Sequence, residues 1–296
     1  MSVQDFLIRG LLKKENIRFV YVNATQTVAT GVKLHDTDPV AAIIFGRALT
    51  TTALLSPLLE ADEKYSIRWE YSGMLGGIIT DTNAAGDVRG FIRQPHLMDK
   101  AESEDDIFGK GDGRITVIKS ADGKILNSGE TRATLADPAN DLAFFFSISD
   151  QIETEIVVAE LFKPEPEDPV KIFSGLMIQA MPDCDLELFA DYRKRINDKA
   201  FRKILVDYEM PVEKKLWTLL AYMAGHNSTE SEQENAFYEF GASPGFRCSC
   251  TRLKMKEAMQ VLDKDDLLKL YEENPDPGIV CQFCRKHYHF KKDELI

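Results

Sequence analysis

Four of the chain's five cysteines fall near its C-terminal end, as Cys248-x-Cys250 and Cys281-x-x-Cys284, with thirty residues between the pairs. Two short-loop pairs can share one site only if the segment between them folds back on itself. Four thiolates brought together in that way offer zinc the tetrahedral set it prefers, at about 2.3 Å per bond. The second pair has the usual knuckle spacing, and the first is tighter than the common Cys-x-x-Cys. Thiols spaced like this in a reducing compartment are metal ligands or redox sensors rather than a disulfide framework. The first residues show no basic region followed by an apolar stretch, so no secretory leader and a cytoplasmic location are expected.

Charge narrows the partners. The formal net charge is -12, and a phosphate backbone must be met by Lys and Arg, so no nucleic acid is expected. Residues 236–296 carry equal numbers of basic and acidic side chains, which leaves the cysteine region without a basic face by count. Residues 40–59 are long enough to cross a bilayer. Arg47 near their middle, the Thr50-Thr51-Thr52 run and Ser56-Pro57 favour a buried core helix instead, and no membrane partner is expected. The sequence Lys292-Asp293-Glu294-Leu295 resembles a retrieval signal, but Ile296 follows it.

The coarse pattern predicts an α+β protein. Residues 19–30, rich in Val, Tyr and Thr, read as a strand, and Asp36 to Asp38 cap the apolar helix. Short β-type runs follow at 66–71, 77–81, 88–93, 115–119 and 155–162, separated by glycine turns, with a short helix at 141–147. This is a mixed helix and mostly antiparallel sheet domain over residues 1–181. Residues 164–169 form a charged loop. Residues 182–239 carry apolar residues at helical spacing amid Lys and Arg and form an amphipathic helical linker, with a polar turn at 225–235. Residues 240–296 make the small zinc module. In it a helix at 252–262, a second one capped by Asp263 and stopped at Pro275, and a return strand carrying Tyr288 and Phe290 bring the two pairs together.

Other chemical candidates are weaker. Cys281-x-x-Cys284 leads into a strand rather than sitting at a helix N-terminus, which disfavours thioredoxin-type catalysis. His287 and His289 are near enough to ligate, but four cysteines already fill a tetrahedral site. Cys184 has no nearby partner, and its acidic neighbours raise its thiol pKa. The clusters at Gly73 to Gly77 and Gly109 to Gly113 lack a P-loop's Lys-Ser/Thr and read as turns. No catalytic signature stands out, so an enzyme is not expected.

The tail from Phe246 through Cys248-Ser-Cys250-Thr-Arg252 to Val280-Cys281-Gln-Phe-Cys284 and Tyr288-x-Phe290 resembles the redox-regulated holdase chaperones called heat-shock protein 33. The likeness extends upstream through Gly46-Arg47-Ala-Leu-Thr, Gly86-Asp-Val-Arg89-Gly90-Phe, Gly109-Lys-Gly, Asp141-Leu-Ala and Ser149-Asp-Gln151. Asp150 stands where the family pattern suggests Glu, and Cys184 is additional. The resemblance implies a reduced, inactive form in which Cys248, Cys250, Cys281 and Cys284 bind one zinc ion. It also implies that oxidants link Cys248 to Cys250 and Cys281 to Cys284, expel zinc, unfold the linker and expose surface that holds unfolding client proteins without ATP. Family members are expected to dimerise when active.

Magnitudes agree with such a switch. Structural zinc contributes roughly 10 to 16 kcal/mol of folding free energy in small domains. A disulfide closing three or four residues restrains the unfolded chain by only about 1.5 to 2 kcal/mol. Two other readings fit the composition: a cytosolic adaptor with purely structural zinc, and a thiol-disulfide oxidoreductase that depends on Cys281.

Overall fold

The structure, a computed structural model, describes residues 4–165, 168–226, 228–274 and 276–295. The middle of the charged loop at 166–167, position 227 of the polar turn, the Pro275 stop and Ile296 lie outside the described residues. The chain divides into two compact units, Met1–Phe246 and Arg247–Ile296.

In the first unit, β1 (Phe6–Leu12) and β2 (Ile17–Asn23) form a hairpin followed by α1 (Thr25–His35) and α2 (Pro39–Ala53). A meander of β3 (Glu63–Glu70), β4 (Gly77–Asn83) and β5 (Asp87–Ile92) precedes the short α3 (Glu104–Phe108). Two hairpins, β6 (Gly113–Ala121) with β7 (Lys124–Ala133) and β8 (Thr154–Phe162) with β9 (Val170–Ala180), flank α4 (Pro138–Ile148). Helices α5 (Leu186–Ile196), α6 (Lys199–Leu205), α7 (Val212–Ala224) and α8 (Glu230–Asn235) lead to β10 (Ala236–Phe240) and β11 (Gly245–Phe246).

The strands form two sheets, ordered β10-β1-β2-β9-β8 and β11-β5-β4-β3-β6-β7. Every pairing is antiparallel except β11 with β5, in keeping with the expected α+β class. Side chains alternate across a strand, and β2 shows the consequence. Val20 and Val22 enter a core shared with α1, α2, α4 and the second sheet, while Phe19 and Tyr21 enter another core built with α5, α6 and α7. The first sheet is therefore buried on both faces. The second is buried on one: in β3, Tyr65, Ile67 and Trp69 are covered whereas Lys64 and Arg68 are exposed.

Helix α2 is the buried element the sequence led us to expect. Pro39–Leu58 is long and apolar enough to cross a membrane, yet most of it is buried within the fold. Asp38 caps it, one carboxylate oxygen accepting the Ala41 amide at 2.8 Å and the other the Leu97 and Met98 amides. Its central Arg47 pairs with Asp137 at 2.7 Å and Glu160 at 2.6 Å, tying α2 to α4 and β8. The glycine clusters are turns, as expected. A Cβ on Gly73 would lie 2.5 Å from the Gly109 amide nitrogen and the Ile107 carbonyl oxygen, so only glycine permits that approach.

Two expectations need correction. Residues 19–30 are not one strand, because β2 ends at Asn23 and α1 begins at Thr25. The Asp5 carboxylate, twenty residues upstream, accepts the Gln26 and Thr27 amides at 2.8 Å each and the Thr27 hydroxyl at 2.7 Å, satisfying helix-start donors that no local residue caps. The polar segment 225–235 is not wholly a turn, since α8 occupies its second half. There Glu232 is buried against His226 at 2.8 Å, and Asn235 accepts the Lys14 amide at 3.0 Å. Residues 236–240 then form edge strand β10 on β1, and β1 itself gave no clear sequence signal.

Candidate metal centre

The second unit contains α9 (Arg252–Met259), α10 (Lys264–Glu273), the hairpin β12 (Gly278–Val280) with β13 (His287–His289), and α11 (Lys292–Leu295). Helix α9 stops before the expected Leu262. Asp263 stands at the N-cap of α10, although its side chain makes no capping bond. A small core of Met259, Leu267, Tyr271, Tyr288, Phe290 and Leu295 gathers around buried Cys281. The Tyr271 hydroxyl donates to the Phe290 carbonyl at 2.7 Å. Arg252 stacks 4.4 Å above the Phe290 ring and reaches both oxygens of Glu294, at 2.8 and 3.0 Å.

Each cysteine pair is fixed by its local backbone. Cys248 and Cys250 precede α9, whose N-cap Thr251 hydroxyl accepts the Lys254 amide at 3.2 Å, while the Lys254 ammonium donates to the Ser249 carbonyl at 3.1 Å. Cys281 and Cys284 lie in the hairpin loop. The Cys281 amide donates to the Lys286 carbonyl at 2.9 Å, and the Arg285 amide returns to the Cys281 carbonyl at 2.8 Å, with Arg285 at φ 59° turning the chain.

All four sulfurs lie within 4.8 Å of one another, so the fold gathers every cysteine that spacing had singled out. Two approaches cross between the pairs: Cys248 to Cys281 at 3.8 Å and Cys250 to Cys284 at 3.4 Å. Thiolates bound tetrahedrally at about 2.3 Å would stand roughly 3.8 Å apart, so this soft, half-buried donor set is compatible with zinc. The Tyr288 hydroxyl sits 3.1 Å from the Cys250 sulfur and donates to the Cys250 carbonyl at 3.4 Å. Burial pushes the Cys250 thiol up, but hydrogen bonding from Tyr288 and the neighbouring sulfurs outweighs it and brings the group down to about 7. Cys284 moves the other way, to about 12, through burial and the nearby sulfurs.

Tyr288 is the functional neighbour that sequence reasoning placed only on a strand; its alternation with Phe290 marked it as inward-facing without revealing its partner. His287 and His289 are exposed and stand outside the four-sulfur group, with His289 instead 3.2 Å from Asp276. Cys184 is half-buried in the first unit, its thiol raised mainly by burial and then by Asp185 and Glu15.

Comparison with known proteins agrees with this architecture. A family model described as Hsp33 protein matches residues 5–291. The chain is 29% identical to the 33 kDa chaperonin of Enterococcus faecalis, across 99% of this chain and 96% of that protein. It is 28% identical to the 33 kDa chaperonin of Streptococcus suis, across 98% of each. The crystal structure of the 33 kDa chaperonin from Thermotoga maritima superposes with a TM-score of 0.81 at 24% identity, over 99% of this chain and 96% of that one, and so shares the fold. With a family match spanning nearly its whole length and four cysteines converging in its C-terminal unit, this chain belongs to the Hsp33 chaperone family.

Proposed function

We propose that the protein is a cytoplasmic, redox-regulated holdase that binds unfolding client proteins without ATP, catalyses no reaction, and dimerises when oxidised. The observation that carries this reading is the convergence of four thiols in a module with few other buried apolar residues. Cys248, Cys250, Cys281 and Cys284 are the residues that would hold zinc. Bound there, the metal supplies four thiolate bonds that fasten the loop before α9 to the β12-β13 hairpin.

Oxidation removes those ligands. A thiolate sulfur gives an electron pair to an oxidant such as hypochlorous acid, which leaves as chloride. The sulfur is left as a sulfenic acid; a second thiolate attacks it, hydroxide leaves and the disulfide closes, two electrons lost per bond. The pairing matters. Links across the pairs, such as Cys248 to Cys281 or Cys250 to Cys284, would staple the hairpin to the first loop and preserve the module. Links within the pairs, Cys248 to Cys250 and Cys281 to Cys284, close rings too short to restrain it, and short separation keeps those partners together as the module loosens. We take the linker, residues 182–239 between a core domain at 1–181 and the module at 240–296, to lose its docking as the module melts. Its helices are anchored by Phe189, Phe201 and Leu219 in the second core, and releasing them would uncover the Phe19, Tyr21 and Leu176 face.

The test is disulfide mapping by mass spectrometry together with zinc release during titration with hypochlorous acid. The reading requires the two within-pair bonds and one zinc lost per chain. Cross-pair bonds, or zinc retained while the thiols survive mild oxidant, would favour the adaptor with structural zinc.

A further inference from the structure

Strand β8 closes the first sheet on the side away from β10. Backbone groups of alternate residues in an edge strand point away from the sheet. In this one, the Glu153 carbonyl accepts the Ala180 amide at 2.9 Å, so odd-numbered residues face β9 and even-numbered residues face outward. Three contacts agree. The Thr154 amide donates to the Ser147 hydroxyl at 3.2 Å, the Arg193 guanidinium reaches the Thr154 carbonyl at 3.4 Å, and the Arg202 guanidinium donates to the Val158 carbonyl at 2.6 Å. Ile156 lies midway and faces the same way. Two outward carbonyls of this edge strand, those of Thr154 and Val158, are thus occupied by arginines on the linker helices α5 and α6.

The surroundings suit an added strand. A groove runs beside the start of β8, walled by α4 and α5. Its α4 wall is apolar and open to solvent, with Phe144 39% and Ile148 57% exposed, and Leu135 at its end is 49% exposed. Its floor is acidic. Arg193 pairs with Glu153 at 2.7 Å and Glu155 at 3.0 Å, so withdrawing α5 leaves two carboxylates beside the edge in a chain already at net charge -12.

We propose that the β8 edge, when α5 and α6 withdraw, takes up an extended apolar client segment flanked by Lys or Arg as an additional strand. This rests on the holdase reading above and names the surface and the partner for it. Main-chain hydrogen bonds to Ile156 and Val158 would supply affinity indifferent to client sequence, the Phe144 and Ile148 wall would take alternate apolar side chains, and Glu153 and Glu155 would select basic flanks. In the docked state Arg193 and Arg202 hold the place of that strand and protect the edge from self-association.

The experiment uses the full-length oxidised protein and a peptide of alternating Val and Thr with Lys at both ends, followed by residue-resolved amide exchange. Peptide binding should slow exchange at Ile156 and Val158 by roughly tenfold or more and leave Val157 and Ala159, already bonded to β9, unchanged. Methylating the peptide's alternate amides on one register should weaken binding by roughly tenfold, methylating the other register should not, and Glu-flanked peptide should bind more weakly than Lys-flanked peptide. If the peptide binds and the β8 amides are unaffected, the edge assignment is wrong while the holdase reading stands. If those amides become protected with rising protein concentration and no peptide, the occupant is a second copy of this chain and the client assignment is overturned. If the oxidised protein neither binds peptide nor holds clients, the holdase reading itself fails and this inference falls with it.

Discussion

Substituting Asp141 by Asn should change how stability depends on pH. The Asp141 carboxyl is fully buried in α4, where burial raises it from 3.8 to about 6 despite hydrogen bonds from the Tyr71 hydroxyl at 2.8 Å and the Leu135 amide at 2.9 Å. A folded-state pKa above the unfolded one means that the native state holds the proton more tightly. The stability this confers is fully present below about 3.8 and is lost as pH rises through about 6. A shift of about two units corresponds to ~3 kcal/mol. Asn cannot ionise, and at pH 4 the unfolded carboxyl is already partly ionised, so the wild-type protein should be more stable relative to Asp141→Asn at pH 4 than at pH 7 by ~2 kcal/mol. Carboxylates lowered in the fold, such as Glu63 and Asp106, give the opposite slope but cancel in the comparison. Urea unfolding at the two pH values, in a Trp217→Phe background, reports this core through Trp69, whose indole donates to the Pro138 carbonyl at 3.2 Å. An identical stability difference at both pH values would refute the reasoning.

Arg47→Ala should cost about 2 to 3 kcal/mol, less than for a fully buried pair because the side chain is 31% exposed, and chemical denaturation measures it. Tyr288→Phe removes the hydroxyl against Cys250 and should lower zinc affinity by roughly tenfold in chelator competition, with the fold of the reduced protein retained. Phe201→Ala deletes a fully buried anchor of α6 at a cost of about 3 to 5 kcal/mol. The linker should then undock more readily, so the reduced variant should suppress client aggregation in part without oxidant.

Legibility followed the range of the interactions. Strands β3 to β6 of the second sheet were readable because buried residues recur at alternate positions along them, whereas β7, exposed along most of its length, was not. Helix α2 was readable because Asp38-Pro39 marks its start within the same few residues. Helix α1 was hidden because Thr25, Thr27, Val28 and Thr30 are β-branched and its N-terminal donors are satisfied by Asp5 from before β1. Strand β10, Ala236–Phe240, is only five residues long and directly follows the linker helices, so only its register on β1 defines it. The four cysteines were evident from spacing alone, since a metal site demands that spacing locally. Their arrangement was not. The 3.4 Å approach of Cys250 to Cys284 and the bond between Tyr288 and Cys250 arise only once the hairpin folds back on the loop before α9. The Arg47 triad was equally invisible, because its acidic partners lie about ninety and more than a hundred residues away.

The most direct measurement is light scattering from a thermally unfolding client protein, with this protein added either reduced and zinc-loaded or pretreated with hypochlorous acid. The expected result is suppression of aggregation by the oxidised protein alone, reversed when the thiols are reduced and zinc restored. Equal suppression by both forms, or suppression by neither, would contradict a chaperone activity switched by the four-cysteine centre.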